Sequence, residues 1–304
     1  YRIMAELALT EPLAALDQTE LKRLAGVAGK WLAGRSSTMG GGRPHRRQPG
    51  RGLEFFDHRP YVAGDEVRHV DWRQTARRDT PMVRRFVHEA STDWLICLDC
   101  SASMQSAGQQ KWTLGLQLAA AISYLLLYLG DRVALAGFSE ALDAVCRPGR
   151  GAGHYTRLLM VLRDLSRQPR GNASKPGACA PLARRGDATI VITDGLSAEG
   201  MQADIALLAA QCAHVQVLHL EDPLDTTLPS SLSLRLVDVE TRRTLSVASS
   251  EALSGAARAA QRNIAETLRG HCLARAIPYT RVNAATHWRD ALLDHLRPSA
   301  GRHV

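Results

Sequence analysis

The sequence predicts an α/β protein in which helices cover both faces of a wound, mostly parallel sheet, with a small β-containing subdomain attached. From Asp93 onward, apolar strand-like runs alternate with helical segments, which is typical of a parallel sheet wound with helices. The runs are almost continuously apolar, so both sheet faces should be covered. Residues 53–90 are polar and arginine-rich with interleaved aromatics, which indicates short strands and loops.

The N-terminal region predicts one helix and a linker. Asp17 and Glu20 have the spacing of a capping box, and apolar residues follow at helical spacing, so we expect a helix over 18–33. Residues 34–52 are rich in Gly, Ser, Pro and Arg without an apolar period, which is typical of a linker or loop.

The α/β region is expected to contain four strands and three helices. In chain order we predict strand 94–98, helix 112–129, strand 132–138, helix 155–166, strand 188–193, helix 199–212 and strand 214–220. The stretch 167–187 holds three prolines and three glycines and predicts little regular structure. A hairpin over 233–247, a helix over 251–275, a last strand and a closing helix should follow.

These elements suggest four parts in the domain organisation. Residues 1–49 would form the N-terminal helix and the Gly/Arg-rich linker, and 50–90 the β-containing subdomain. Residues 91–225 would form the wound α/β domain, and 226–304 the hairpin and helices that complete the fold.

Composition and hydropathy indicate the cellular compartment in which the protein is expected. Residues 114–130 are apolar almost all round, but these 17 residues are short for a membrane span of about 20. A helix that is apolar on every side is usually buried, so we predict no integral membrane span. The six cysteines lack a disulfide-like rhythm and no secretory signal is recognisable, so we expect a reducing, cytoplasmic environment.

The charge distribution is uneven. The chain carries a net charge of +8, and the segment from Arg43 to Arg85 contains eleven arginines, no lysine and six acids. A basic segment with aromatics can bind nucleic acid through phosphate contacts and stacking. Because acids alternate with these arginines, we favour internal ion pairs or a partner-docking surface and predict no nucleic-acid partner.

Acids and hydroxyls at strand ends are the candidate functional residues. Asp99 ends the first predicted strand, and Ser101 and Ser103 follow at every second position. Asp194 ends the strand over 188–193. Ligands of wound parallel sheets bind beyond the carboxyl ends of the strands, and carboxylate and hydroxyl oxygens suit Mg²⁺ or Mn²⁺. We therefore predict a metal site at this edge.

Two alternative interpretations of the same residues remain open. Asp99 and Ser101 could only cap the following helix. An aspartyl-phosphate hydrolase also places a nucleophilic Asp at the end of its first strand, but it needs a second acid two residues later, where this chain has Ser101. The sequence contains no P-loop, nucleophile elbow or H-E-x-x-H motif, so we predict that the protein is not an enzyme.

The D-x-S-x-S pattern after an apolar strand, with a strand-end Asp about a hundred residues later, resembles a von Willebrand factor A domain. Such domains carry a metal-ion-dependent adhesion site built from these residues. The resemblance implies a Rossmann-like fold and a further Thr from a loop, expected near the stretch GNASKPGACAPL, which contains none. Thr156 is the nearest upstream candidate, although its place near a predicted helix start also suits N-capping.

The segment before the first strand resembles the signature of the DUF58 family. The matching positions include Glu54, Arg59, Tyr61, Asp65, Arg68, Asp71, Trp72, Arg77 and Glu89, together with Gly50, Gly52, Gly64 and Thr75. The first nine of these residues are our candidates for a family-specific partner-docking surface.

The resemblance implies a bacterial protein that acts beside a MoxR-type AAA+ ATPase in chaperone-like maturation or assembly of client complexes. We therefore expect a metal-dependent protein-interaction module without catalytic residues. The alternatives are a metal-dependent phosphohydrolase and a nucleic-acid-binding protein.

Overall fold

The computed structural model describes residues 11–35, 48–50, 54–61, 70–78, 80–88, 93–106, 108–167, 171–196, 198–227, 234–237, 244–247 and 251–296. The chain forms two compact units, one of residues 33–91 and one of residues 1–32 with 92–304. The finer predicted division into 91–225 and 226–304 stays a prediction.

Helices and strands alternate through most of the larger unit. The helices are α1 Glu11–Ala14, α2 Gln18–Arg35, α3 Trp72–Arg78, α4 Gln110–Tyr128, α5 Ala152–Leu165, α6 Ala198–Gln211, α7 Glu251–Ala274 and α8 Trp288–Leu296. The strands are β1 Gln48–Gly50, β2 Glu54–Pro60, β3 Met82–His88, β4 Asp93–Asp99, β5 Arg132–Phe138, β6 Leu142–Gly149, β7 Ala188–Thr193, β8 His214–Glu221, β9 Leu234–Val237, β10 Thr244–Val247 and β11 Tyr279–Asn283. Short 3-10 helices lie at Ala102–Gln105, Pro176–Leu182 and Pro223–Thr226.

The smaller unit contains an antiparallel sheet in the order β1-β3-β2. A register shift between Phe55 and Asp57 interrupts the pairing of β2 with β3. Val70 forms an isolated bridge with Val83, and α3 follows it directly. The arginine-rich segment thus forms strands, as predicted, together with a short helix that was not predicted.

The larger unit is built on a six-stranded sheet in the order β11-β8-β7-β4-β5-β6. Its first five strands are parallel, and only the edge strand β6 runs antiparallel to its neighbour β5. This confirms the predicted mostly parallel sheet. Strand β6 was missed because its residues alternate between partly buried and exposed, whereas the predicted strands are continuous apolar runs.

Two hydrophobic cores cover the two faces of this sheet. Along β4, Ile96 and Leu98 pack into a core with residues of α4 and α5. Leu95 and Cys97 pack on the other side with residues of α6 and α7. The alternation follows from the two-residue period of a strand. Helices therefore cover both faces, as the continuous apolar runs predicted.

The apolar segment 114–130 lies largely within α4, most of whose residues are buried. Among the described residues, no helix is long and apolar enough to cross a membrane. The predicted hairpin is present as the antiparallel pair β9 and β10, whereas its turn lies outside the described residues.

Candidate functional site

The candidate site lies where two neighbouring strands end. Strand β4 ends at Asp99, and its parallel partner β7 ends at Thr193, which precedes Asp194. The carboxyl ends of adjacent parallel strands lie at one edge of a sheet, where ligands of wound sheets bind. The fold therefore brings together the two acids that the sequence analysis singled out.

The serines after β4 connect these acids. Ser101 Oγ lies 3.0 Å from Ser103 Oγ, and Ser103 Oγ donates a hydrogen bond of 3.2 Å to Asp194 Oδ1. Asp99 Oδ1 accepts a hydrogen bond of 2.9 Å from the Ser101 backbone N–H. Ser101 precedes a 3-10 helix, but its hydroxyl makes no capping bond. Helix capping thus does not account for the direction of these side chains.

Two further hydroxyls bind Asp99. Its Oδ2 accepts hydrogen bonds from Ser174 Oγ at 2.5 Å and from Thr193 Oγ1 at 2.6 Å. Ser174 belongs to the stretch GNASKPGACAPL, in which the adhesion-site Thr was sought. This stretch therefore contributes a hydroxyl to Asp99, but from a serine and not from a threonine.

Thr156 does not join this cluster, in contrast to its candidate role as a metal ligand. It lies on α5, where its hydroxyl donates to the carbonyl oxygen of Ala152 at 3.3 Å. Helix α5 already begins at Ala152, so Thr156 is not its N-cap either. The metal role of Thr156 stays a prediction, whereas Ser174 is the loop hydroxyl that contacts Asp99.

A buried lysine completes the network. Lys111 Nζ lies 2.8 Å from Asp194 Oδ2 and 2.7 Å from Asp225 Oδ2. Ser106 Oγ lies 2.7 Å from Asp225 Oδ1 and 2.6 Å from the Ser103 carbonyl oxygen. Sequence reasoning missed Lys111 and Asp225. The signal was a lone lysine at the start of an otherwise apolar helix and an acid shortly after the apolar strand β8.

The cluster is buried and rich in negative charge. Asp99, Ser101 and Lys111 are 0% exposed, and Asp194 is 2% exposed. Burial and then the charge of Asp194 raise the pKa of Asp99 to about 6, although its hydroxyl partners oppose the shift. Burial alone would lower the pKa of Lys111, but Asp194 and Asp225 outweigh it and raise this pKa.

Three carboxylates, those of Asp99, Asp194 and Asp225, share this network with the single ammonium of Lys111. With all three acids ionised, the cluster carries two negative charges in excess. A buried charge excess of this kind is costly unless a cation or a proton neutralises it.

The donor set fits a small, hard divalent cation. Mg²⁺ binds oxygen ligands at about 2.0–2.1 Å in an octahedron, whose neighbouring ligands are about 3.0 Å apart. The hydroxyls of Ser101 and Ser103 have this separation, and Ser103 Oγ and Asp194 Oδ1 come close to it. Within the described ranges, no three His, Cys, Asp or Glu side chains group as metal ligands. Metal binding here would therefore depend on the hydroxyls.

His219 holds the backbone at Asp194 through a hydrogen bond. His219 Nε2 lies 2.7 Å from the Asp194 carbonyl oxygen, and Nδ1 lies 2.5 Å from the Tyr279 hydroxyl. A carbonyl can only accept, so Nε2 carries the proton and Nδ1 accepts from the tyrosine. Gly195 follows with a φ of 65°, a conformation that favours glycine. Burial lowers the pKa of His219.

Several signature residues of the smaller unit have structural contacts. Asp71 caps α3, since its Oδ1 accepts from the backbone N–H groups of Arg73 at 3.0 Å and Gln74 at 3.2 Å. Thr75 Oγ1 donates to the Asp71 carbonyl at 2.8 Å and accepts from Met82 N at 3.0 Å. The contacts of Asp71 and Thr75 explain structurally why the signature has an Asp and a Thr four residues apart.

The other signature residues divide into three groups. Trp72 is 66% exposed and Tyr61 37% exposed, and Arg77 is also exposed, as a docking surface requires. Glu54 and Arg59 lie on β2, where only their backbone register is described. Asp65, Arg68 and Glu89 lie outside the described residues.

The fold and the cluster define an α/β protein with a polar, negatively charged site at the carboxyl edge of a mostly parallel sheet. The chain belongs to the family described as "Protein of unknown function DUF58", whose profile matches residues 57–266.

Curated relatives and one solved structure are similar to this chain to different degrees. The uncharacterized proteins Rv1480 of Mycobacterium tuberculosis and Mb1516 of Mycobacterium bovis are each 32% identical over 238 residues, which cover 73% of this chain and 73% of each relative. The crystal structure of the conserved hypothetical protein BatB from Bacteroides thetaiotaomicron matches 67% of this chain and 97% of its own, at 17% identity and a TM-score of 0.37. A similarity this weak carries no structural argument.

Proposed function

We propose that the protein is a non-enzymatic, metal-dependent protein-interaction module with a von Willebrand factor A-like sheet. It would act in the cytoplasm with a MoxR-type AAA+ ATPase in chaperone-like maturation or assembly of client complexes. One observation carries the proposal: Asp99, Ser101, Ser103 and Asp194 meet in a single buried network with excess negative charge.

In this proposal, Asp99, Ser101, Ser103 and Asp194 hold Mg²⁺ or Mn²⁺, and Ser174 supplies the loop hydroxyl. The ion would supply a positive charge that an acidic side chain of the partner can coordinate. Lys111 holds the second oxygen of Asp194 at 2.8 Å and so leaves Oδ1 directed at the serines. The serine hydroxyls are buried, so the partner can reach the site only when the residues that cover them move.

The cluster offers little to a phosphohydrolase. Such an enzyme needs a proton donor two residues after its nucleophilic Asp. At that position, the Ser101 hydroxyl is engaged with Ser103 and is fully buried. Turnover of a generic phosphomonoester with Mg²⁺ checks this alternative, and we expect none.

Calorimetric titration with Mn²⁺ and co-precipitation with the MoxR-type ATPase from the same genome test the proposal together. We expect Mn²⁺ binding and co-precipitation in the wild type, and loss of both in Asp99→Asn. Asp164→Asn is the matched control, because Asp164 is an exposed acid on α5. Co-precipitation that is unchanged by EDTA and by Asp99→Asn would contradict a metal-dependent role.

A further inference from the structure

A cavity of about 430 Å³ lies beside the candidate metal site. It is formed between the 3-10 helix Pro223–Thr226 and the middle of α7. Leu196, Leu224 and Ile264 give it apolar walls, and two alanines of α7 leave the space open. Leu224 is 45% exposed, so an apolar group of a ligand can be covered here.

Among the described residues that line the cavity, Asp225 carries the only charge. Its Oδ1 lies 2.7 Å from Ser106 Oγ. Its Oδ2 is withdrawn from solvent and ion-pairs with Lys111 at 2.7 Å. A carboxylate oxygen has about two acceptor positions, so Oδ1, which takes one bond from Ser106, can accept a further donor from the cavity.

The charge of the wider cluster determines whether the cavity prefers a positively or a negatively charged ligand. Asp225 is connected through Lys111 to Asp194, and the cluster holds three carboxylates for one ammonium. In the metal-free protein, an anionic ligand would add to this excess, whereas a cation would reduce it. Bonds between a charged donor and a carboxylate are about twice as strong as neutral ones.

We propose that the cavity binds a partner protein through a short segment that places a lysine or arginine on Asp225 and an adjacent apolar side chain against Leu224 and Ile264. This proposal rests on the proposed role as a protein-interaction module, and it specifies that the partner segment carries a basic and an apolar side chain. The basic residue sits in the cavity, a place distinct from the buried serines, and its binding does not require the metal.

Short peptides test the preference directly. The probes are acetyl-Leu-Arg-amide, acetyl-Leu-citrulline-amide, which is the neutral isostere, and acetyl-Leu-Glu-amide. Each is titrated into the full chain in EDTA, while the labelled δ1-methyl group of Ile264 is followed by NMR. Ile190, buried in the sheet, is the internal control. We expect the arginine peptide to shift the Ile264 signal and to bind roughly tenfold more tightly than the citrulline peptide.

Asp225→Asn should remove the preference for arginine over citrulline, whereas Asp164→Asn should keep it. If Asp225→Asn does not fold, the comparison of the two peptides on the wild type decides alone. Equal binding of the arginine and citrulline peptides, or tighter binding of the glutamate peptide, overturns the inference. Because the peptide titration is done in EDTA, absent Mn²⁺ binding would count against the proposed metal dependence and leave the cavity preference standing.

Discussion

Lys111 Nζ lies 2.8 Å from Asp194 Oδ2, and both side chains are withdrawn from solvent. The same ammonium lies 2.7 Å from Asp225, so one cation joins the strand-end acid of β7 to the wall of the neighbouring cavity. Buried charges are tolerated only when they are paired, and removal of one partner leaves the other charge uncompensated. This lysine should therefore be a main determinant of stability in this part of the fold.

Lys111→Met should lower the free energy of unfolding by about 3–5 kcal/mol, because Asp194 and Asp225 lose their cation in a buried setting. Chemical denaturation at pH 8 measures the loss. Arg269→Met is the control, since Arg269 pairs with Glu266 at 3.3 Å and both side chains are about half exposed. That change should cost less than about 1 kcal/mol. A similar small loss for Lys111→Met would show that the network tolerates an unpaired carboxylate.

Ser174→Ala should lower the free energy of unfolding by about 1–2 kcal/mol, because Asp99 loses a buried hydrogen-bond donor. If a metal binds, its affinity should fall in the same variant. Thr156→Ala is the matched control. Among the described residues, its hydroxyl bonds only to its own helix, so stability should stay within about 0.5 kcal/mol and metal affinity should not change. Denaturation curves with and without Mn²⁺ compare the two variants, and the reverse ranking would refute the assignment of Ser174.

These contacts show which parts of the site a sequence can predict. Asp99 and Asp194 were found because each follows an apolar strand, and the parallel sheet then places both at one edge. Lys111 meets Asp194 across 83 positions of sequence, and Ser174 meets Asp99 across 75. Such pairings depend on how helix α4 and an irregular loop pack, which no local pattern contains.

Cys97 and Cys100, in contrast, can be placed from a local sequence pattern alone. The strand period predicts that Cys97 and Cys100, three residues apart, point to opposite faces. They belong to different hydrophobic cores, and neither forms a disulfide. The C-x-x-C spacing of Cys97 and Cys100 is therefore a consequence of packing.

Thiol reactivity follows from this burial. Burial, together with the neighbouring Cys179, raises the pKa of Cys97, and burial raises that of Cys272 to about 11. A higher pKa leaves less thiolate, which is the reactive form. We expect the five buried thiols of the native protein not to react fast with an aromatic disulfide reagent at pH 8, whereas Cys212 is only partly buried; all six thiols should react after unfolding in guanidinium. More than one rapidly titrating native thiol would contradict the buried positions.

Gly171 tests how tightly the serine loop is held. Its carbonyl accepts a hydrogen bond of 2.9 Å from Ala102 N, directly beside Ser101. A Cβ at this position would collide with Ser139, so either the loop or Ser139 must move. Gly171→Ala should therefore cost about 1–3 kcal/mol in the free energy of unfolding, as overpacking typically does.

The control for this change is Gly153→Ala, because Gly153 lies in helix α5 with open space around it. Alanine is the better helix former, so this variant should gain about 0.5–1 kcal/mol in stability. Denaturation curves give both values, and amide NMR shifts of Ser101 and Ser103 report on the loop. If Gly171→Ala is as stable as the wild type and leaves those shifts unchanged, the loop is not held by the close approach of Gly171. The order of the serine hydroxyls would then have to come from Asp99 and Asp194 alone.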